Sequence, residues 1–220
     1  MVVRVDGPYG HATPVSTYDD LLFVAGGIGV TPCHANVRAL YLSAKAAAVS
    51  EGGGIAPPST YSALDGKPSR VKMVWVVRDR AQAALFAETL RMVAADDLDG
   101  RFSVALHLTG AAAVTSPTGA AEKTQPLPKL LGLLGGQSGG DGVVEPGGRL
   151  TFISGRPDIV AELRAMGHPP LLEGEAPTAP SGEGRRSALV FVCGPASLSA
   201  ACDAAALGAG VDFHAETFEL

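Results

Sequence analysis

The sequence predicts an α/β fold built around one main domain, an open and mostly parallel sheet of five strands with helices on both faces. Short, fully apolar runs such as LLFVA (Leu21 to Ala25) and ALVFVC (Ala188 to Cys193) have the character of strands covered on both sides. Between such runs lie segments whose apolar residues recur every 3.6 positions, the mark of helices packing one face. Strands alternating with helices imply right-handed crossovers and therefore parallel neighbours.

The first strand, Leu21 to Ala25, runs into Gly26, Gly27, Ile28 and Gly29. Thr31 is then expected to cap a helix, with Pro32 in its first turn, where a missing N–H costs nothing. That helix carries apolar residues at 33, 37, 40, 41, 44 and 48. Val71 to Val77 (VKMVWVV) is the second strand, and Gln82 to Ala95 the second helix, with Phe86, Leu90 and Val93 on one face. Phe102 to Leu108 is the third strand and Leu150 to Ile153 the fourth. Pro157 is expected to open a helix that aligns Ile159, Leu163 and Met166. Ala188 to Cys193 is the fifth strand. Gly194 and Pro195 turn the chain, Ser197 is expected to cap the last helix, and Val211 to His214 closes the sheet. Stretches rich in Gly, Pro, Ser and Ala near 50–70, 111–148 and 173–187 read as insertions into this pattern.

With 220 residues, 46% of them hydrophobic, the chain can bury one sizeable core. The net charge of -5 would repel a phosphate backbone, so nucleic acid is not an expected partner. Cys33, Cys193 and Cys202 make no disulfide framework, which fits a reducing compartment, and no metal is expected because no ligand cluster has zinc spacing. No apolar run approaches the roughly 20 residues that span a bilayer.

Chemistry is expected just past the strand ends, at 26–32, 78–80, 109–110, 154–157 and 193–195, because ligands of open parallel sheets bind at the carboxyl edge. AGGIGVTP (Ala25 to Pro32) joins a strand to a helix through glycines, which leave room for a phosphate facing the helix N-terminus. It lacks the usual GxGxxG spacing, and a plain glycine turn is the alternative. Arg78 ends the second strand, where an arginine suits a 2′-phosphate and so favours NADPH over NADH; a solvated Arg-Asp-Arg run is the competing reading. Cys193, with Gly194 and Pro195, is small and polarizable enough to lie against a nicotinamide, or is a buried structural cysteine before a turn. A nucleophilic role for Cys193 would need a base, and only His214 offers one in this element order. If the tail DFHAETFEL (Asp212 to Leu220) ends beside Cys193, Glu216 would help orient the nicotinamide and Phe218 would cover a flavin ring.

Seven short blocks stand in order from Val5 to Phe218: VDGPYG (Val5 to Gly10); GIGVTP (Gly27 to Pro32); WVVRD (Trp75 to Asp79); LTG (Leu108 to Gly110); GRP (Gly155 to Pro157); VFVCGP (Val190 to Pro195); and FHAETF (Phe213 to Phe218). The ordered set resembles the nicotinamide-binding module of the ferredoxin reductase superfamily, in its ferric reductase and NADPH oxidase branch, whose turn reads GxGIGxTP, so that Gly26 is shifted from the first family glycine. The resemblance implies a Rossmann-like, ferredoxin reductase-like nucleotide-binding domain over 16–220, with 1–15 the end of an FAD-binding barrel and its linker.

It implies that Gly27, Gly29, Thr31 and Pro32 hold a pyrophosphate, with Gly26 and Val30 also in the cofactor site, and that Arg78 meets the 2′-phosphate. Gly110, Gly155 and Arg156 join the cofactor site, Cys193, Gly194 and Pro195 flank the nicotinamide, and Phe218 shields the flavin. The full relay it implies passes a hydride from NADPH to FAD on a preceding domain, then electrons through membrane haems to ferric chelates or dioxygen. This domain would lie on the cytosolic side and be soluble by itself, with the FAD and transmembrane haem domains as its partners. Nearly all of the FAD barrel and the haem helices are missing from these residues, and Phe218 is followed by Glu219 and Leu220, where many relatives end on an aromatic residue. A soluble flavin reductase component and a non-catalytic nucleotide-binding module are the alternatives.

Overall fold

The computed structural model describes residues 13–50, 68–78, 100–110, 150–171 and 186–216, together with Gln82, Ala83, Phe86 and Leu90. Six strands form one sheet: β1 (Asp20–Gly26), β2 (Arg70–Val77), β3 (Phe102–Leu108), β4 (Leu150–Ser154), β5 (Ala188–Cys193) and β6 (Asp212–Glu216). Their order is β4-β3-β2-β1-β5-β6, and each neighbouring pair is parallel. The predicted count of five strands is therefore corrected to six. The closing segment is a full strand from Asp212 to Glu216, paired along β5 from Leu189 to Cys193.

Among the described residues three α-helices cover the sheet: α1 (Val30–Ser50), α2 (Ile159–Ala165) and α3 (Ala196–Ala209). Side chains alternate between the faces of a strand, so each strand feeds two cores. On one side Phe23, Trp75, Phe102 and Phe191 pack against Cys33, Val37, Leu40 and Tyr41 of α1, whose spacing is the helical period read from the sequence. On the other, Leu22, Val24, Val74, Val190 and Val192 meet Ile159 and Leu163 of α2 and Cys202, Ala205, Ala206 and Ala209 of α3. Full burial of a side chain such as Leu40 or Phe191 contributes about 1.5–3 kcal/mol, so these two layers carry most of the fold's stability. Ala83 and Leu90, from the segment expected as the second helix, are buried on the α1 side, with Phe86 packed beside them.

Several helix starts differ from the sequence expectation. Helix α1 begins at Val30, and Thr31 is inside it, its hydroxyl donating to the Ile28 carbonyl at 3.0 Å instead of capping. Helix α2 begins at Ile159, two residues after Pro157. Its cap is Asp158, whose carboxylate accepts the Ala161 N–H at 3.0 Å. In α3 the cap position belongs to Pro195, which has no side-chain acceptor, and Ser197 lies within the first turn.

The amino edge of the sheet is held by a buried charge. Asp20, fully buried at the start of β1, accepts two hydrogen bonds from Arg70 at 2.9 and 2.8 Å. His168 Nε2 lies 2.9 Å from its second oxygen and Arg186 3.0 Å from its first. Next to it, Asp19 accepts the Ser187 N–H and hydroxyl at 2.9 and 2.8 Å. Arg186 and Ser187, read from sequence as the end of an insertion, are thus fixed to β1. The remainder of the expected insertions (51–67, 111–148 and 173–185), and residues 1–12 of the expected barrel remnant, lie outside the described residues.

Candidate functional site

The chain runs outward from β1 through β2 and β3 to β4, then returns to place β5 on the other side of β1. The carboxyl ends of β1 and β5 are therefore the point at which strand order reverses, where a crevice opens in sheets of this kind. A crevice of about 690 Å³ lies along this edge, within the range of cofactor sites. Gly26 and Gly27 line it from β1, Arg78 from the end of β2, Thr109 and Gly110 from β3, Gly155 and Arg156 from β4, and Pro195, Ser197 and Leu198 from the start of α3.

The glycine turn is needed first for close packing. A Cβ on Gly29 would sit 2.2 Å from the Cys193 carbonyl oxygen, so only glycine lets the β1–α1 turn rest on the end of β5. Gly27 has φ +55° and nothing within 4 Å of where a Cβ would be, leaving its backbone open to a ligand. Pro195 and Gly194 lie against Gly26 from the other side.

Hydrogen bonds hold the Arg78 backbone and the Gly155 turn that precedes Arg156. The Arg78 N–H donates to Gln82 Oε1 at 3.0 Å, and its carbonyl accepts the Gly110 N–H at 3.0 Å. Thr109 donates both its N–H and its hydroxyl to the Val77 carbonyl, at 2.9 and 3.2 Å. The Gly155 N–H reaches the Leu108 carbonyl at 2.9 Å, and the Gly155 carbonyl lies 3.2 Å from Nδ1 of His107. Since a carbonyl only accepts, that nitrogen carries the proton, and the buried Nε2 is left without a partner. Burial also holds the His107 pKa below the ordinary histidine value, outweighing the Gly155 bond, so the ring that seats the Gly155–Arg156 turn is neutral near pH 7.

Of the residues expected from sequence, Gly26, Gly27, Arg78, Gly110, Gly155, Arg156 and Pro195 come together around the crevice. Gly29 and Val30 are buried beneath the turn, and Thr31 is exposed beside it. Cys193 is only 2% exposed, packed under Gly29 and not on the crevice wall. Burial, and then the nearby Glu216 carboxylate, push its thiol pKa up, which opposes thiolate chemistry. Glu216 does pair in register with Cys193. Its carboxylate lies 3.4 Å from His214 Nε2, which is also 3.1 Å from the Thr13 hydroxyl. Phe218, Asp79 and Arg80 are outside the described residues. Gln82, Thr109, Ser197 and Leu198 line the crevice without having been singled out as ligand-binding residues; only the position of Thr109 just past β3 pointed to it.

Residues 18–207 match the family model described as the ferric reductase NAD binding domain. The chain belongs to this family. As a ferric reductase NAD binding domain it is an oxidoreductase-type domain with a role in NAD(P)H-linked electron transfer, in agreement with the resemblance read from the seven blocks. The match begins two residues before β1 and ends within α3, so the full crevice wall described above falls inside it, whereas β6 lies beyond. No curated protein sequence matches the chain. Among the described residues, no helix is long and apolar enough to cross a membrane.

Proposed function

We propose that this domain binds NADPH along the carboxyl edge of its sheet and presents the nicotinamide to FAD held by a separate domain. The observation that carries this reading is the charge of the crevice. Among its described lining residues stand two guanidinium groups, Arg78 and Arg156, and no carboxylate. A wall of that kind favours a 2′-phosphate over a bare 2′-hydroxyl, for which a carboxylate acceptor is the usual partner. The open backbone at Gly27, beside the start of α1, fits a pyrophosphate.

When bound, the reduced nicotinamide supplies a hydride. The chain's own part is to hold and aim the nucleotide: Arg78 and Arg156 at the adenosine end, the glycine turn at the pyrophosphate, and the β5 end with Gly194, Pro195 and Glu216 near the nicotinamide. Cys193 supports that end from beneath, and Phe218 is the proposed cover of the flavin. Onward transfer to membrane haems, and then to ferric chelates or dioxygen, belongs to partner domains in this proposal.

Calorimetric titration with NADPH and NADH tests it. Arg78→Ala and Arg156→Ala are each expected to weaken NADPH binding about 10- to 100-fold, the worth of a charge-assisted hydrogen bond, and to leave NADH binding nearly unchanged. Equal losses for both nucleotides would contradict the assignment of the arginines to the 2′-phosphate.

A further inference from the structure

Trp75 is the largest fully buried side chain of the described residues, and its indole reaches beyond packing. From β2 it crosses to the glycine turn, where Nε1–H donates to the Gly27 carbonyl at 2.9 Å. The same carbonyl accepts the backbone N–H of Val30, so both of its lone pairs are engaged. The indole itself cannot swing away. Phe86 meets it edge-on, with ring centroids 5.5 Å apart at 86°, and the His34 ring of α1 lies 4.8 Å from that of Phe86.

A trans peptide points its C=O and N–H in opposite directions. Trp75 belongs to the core on the α1 side, so a Gly27 carbonyl drawn toward it turns the following N–H, that of Ile28, away from α1 and toward the open carboxyl edge. Gly27 has φ +55°, a conformation open to glycine, so the orientation of the Gly27–Ile28 peptide depends on what its carbonyl and N–H meet. Two donors hold that carbonyl in place, the Val30 N–H from within the turn and the indole N–H from outside it.

We propose that Trp75 is a positioning residue for the phosphate turn: its N–H fixes the Gly27–Ile28 peptide with the amide hydrogen facing the bound pyrophosphate. This role rests on the crevice being a dinucleotide site, as proposed above. A purely structural tryptophan would affect stability and all ligands alike. A positioning one affects the pyrophosphate alone.

The test compares NADPH with adenosine 2′-monophosphate, which reaches the arginines but has no pyrophosphate, in calorimetric titrations of the 220-residue chain. Two replacements are used: Trp75→Phe, and the benzothiophene isostere of tryptophan at position 75, which keeps the ring shape and removes the donor even if the smaller phenyl ring impairs folding. Each is expected to weaken NADPH about ten-fold, the worth of one well-placed hydrogen bond to a charged group, while adenosine 2′-monophosphate binds as to the unaltered chain. Unchanged NADPH affinity with the isostere, or equal losses for both probes, would overturn the role of Trp75 and leave the site intact. An unaltered chain that binds neither probe would instead remove the dinucleotide site, and this role with it.

Discussion

Gly29→Ala is expected to destabilise the domain by about 3 kcal/mol or more and to abolish measurable nucleotide binding. The added Cβ would stand 2.2 Å from the carbonyl oxygen of Cys193 and 2.7 Å from its carbon, both backbone atoms of a central strand that cannot rotate aside. Relief requires the β1–α1 turn and the end of β5 to separate, an overpacking cost at the upper end of the usual 1–3 kcal/mol range. For a chain of this size that lowers the melting temperature by about 6–12 °C. The same separation opens the floor of the crevice, so binding and stability fall together. Gly208→Ala is the matched control. Gly208 lies in α3 with nothing within 4 Å of an added Cβ, and alanine there should stabilise by about 0.5 kcal/mol through helix propensity. Thermal melts of the two variants, side by side, separate a close-approach glycine from an incidental one.

Asp20→Asn is expected to cost about 3 kcal/mol at pH 7 with nucleotide affinity unchanged. Removing one partner from a buried ion pair costs roughly 3–5 kcal/mol. The lower end applies here, because the Arg70 and Arg186 side chains are 38% and 44% exposed and can regain water once the carboxylate is gone. The cluster lies at the amino edge, at the opposite end of the strands from the crevice, so it serves the fold and not the ligand.

Its pH dependence follows from the direction of the carboxyl's shift. Burial by itself would raise the Asp20 pKa, but the hydrogen bonds from Arg70 and His168, with the charges of Arg70 and Arg186, outweigh it and hold the group below the usual range. A carboxyl depressed in the folded state contributes fully above its unfolded pKa of about 3.9, and that contribution is lost as pH falls from there through the folded pKa. Urea unfolding from pH 7 down to pH 2.5 should show the unaltered chain losing stability below about pH 4 more steeply than Asp20→Asn. Parallel acid limbs would show that the carboxylate is not favoured by its neighbours.

What the sequence disclosed follows from how local each cause is. Strands β1 and β5 were readable because both faces are buried and the runs Leu21 to Ala25 and Ala188 to Cys193 are apolar throughout, and β2 from its branched side chains despite Lys72; α1 was readable from Cys33, Val37, Leu40 and Ala44. The edge strand β6 was harder to count. Its alternate residues Asp212 and His214 are polar, and what they meet, Tyr18 at 2.8 Å and Thr13 at 3.1 Å, comes from the other end of the chain. Helix starts went astray where a capping residue type stood one to two places inside the true start, as with Thr31 and Ser197. Asp158 carried a readable signal, an acidic residue three places before the Ala161 N–H it caps.

In the site, glycines and strand-end arginines were legible because they recur at predictable points along the edge. Gln82 and the Trp75 clamp were not, since each acts through a backbone group of another element, and Thr109 was legible only by its place just past β3. Asp20 stands just before the apolar run of β1, and only the packing of Arg70, His168 and Arg186 around it shows why it is buried.

A crystal structure of the chain grown with excess NADPH tests the central claim most directly. The expected result is a dinucleotide along the carboxyl edge, its pyrophosphate against the backbone of Gly27 and Ile28 and its 2′-phosphate within hydrogen-bond reach of Arg78 or Arg156. Electron density for the nucleotide at any other face, or a crevice left empty at saturating coenzyme, would contradict it.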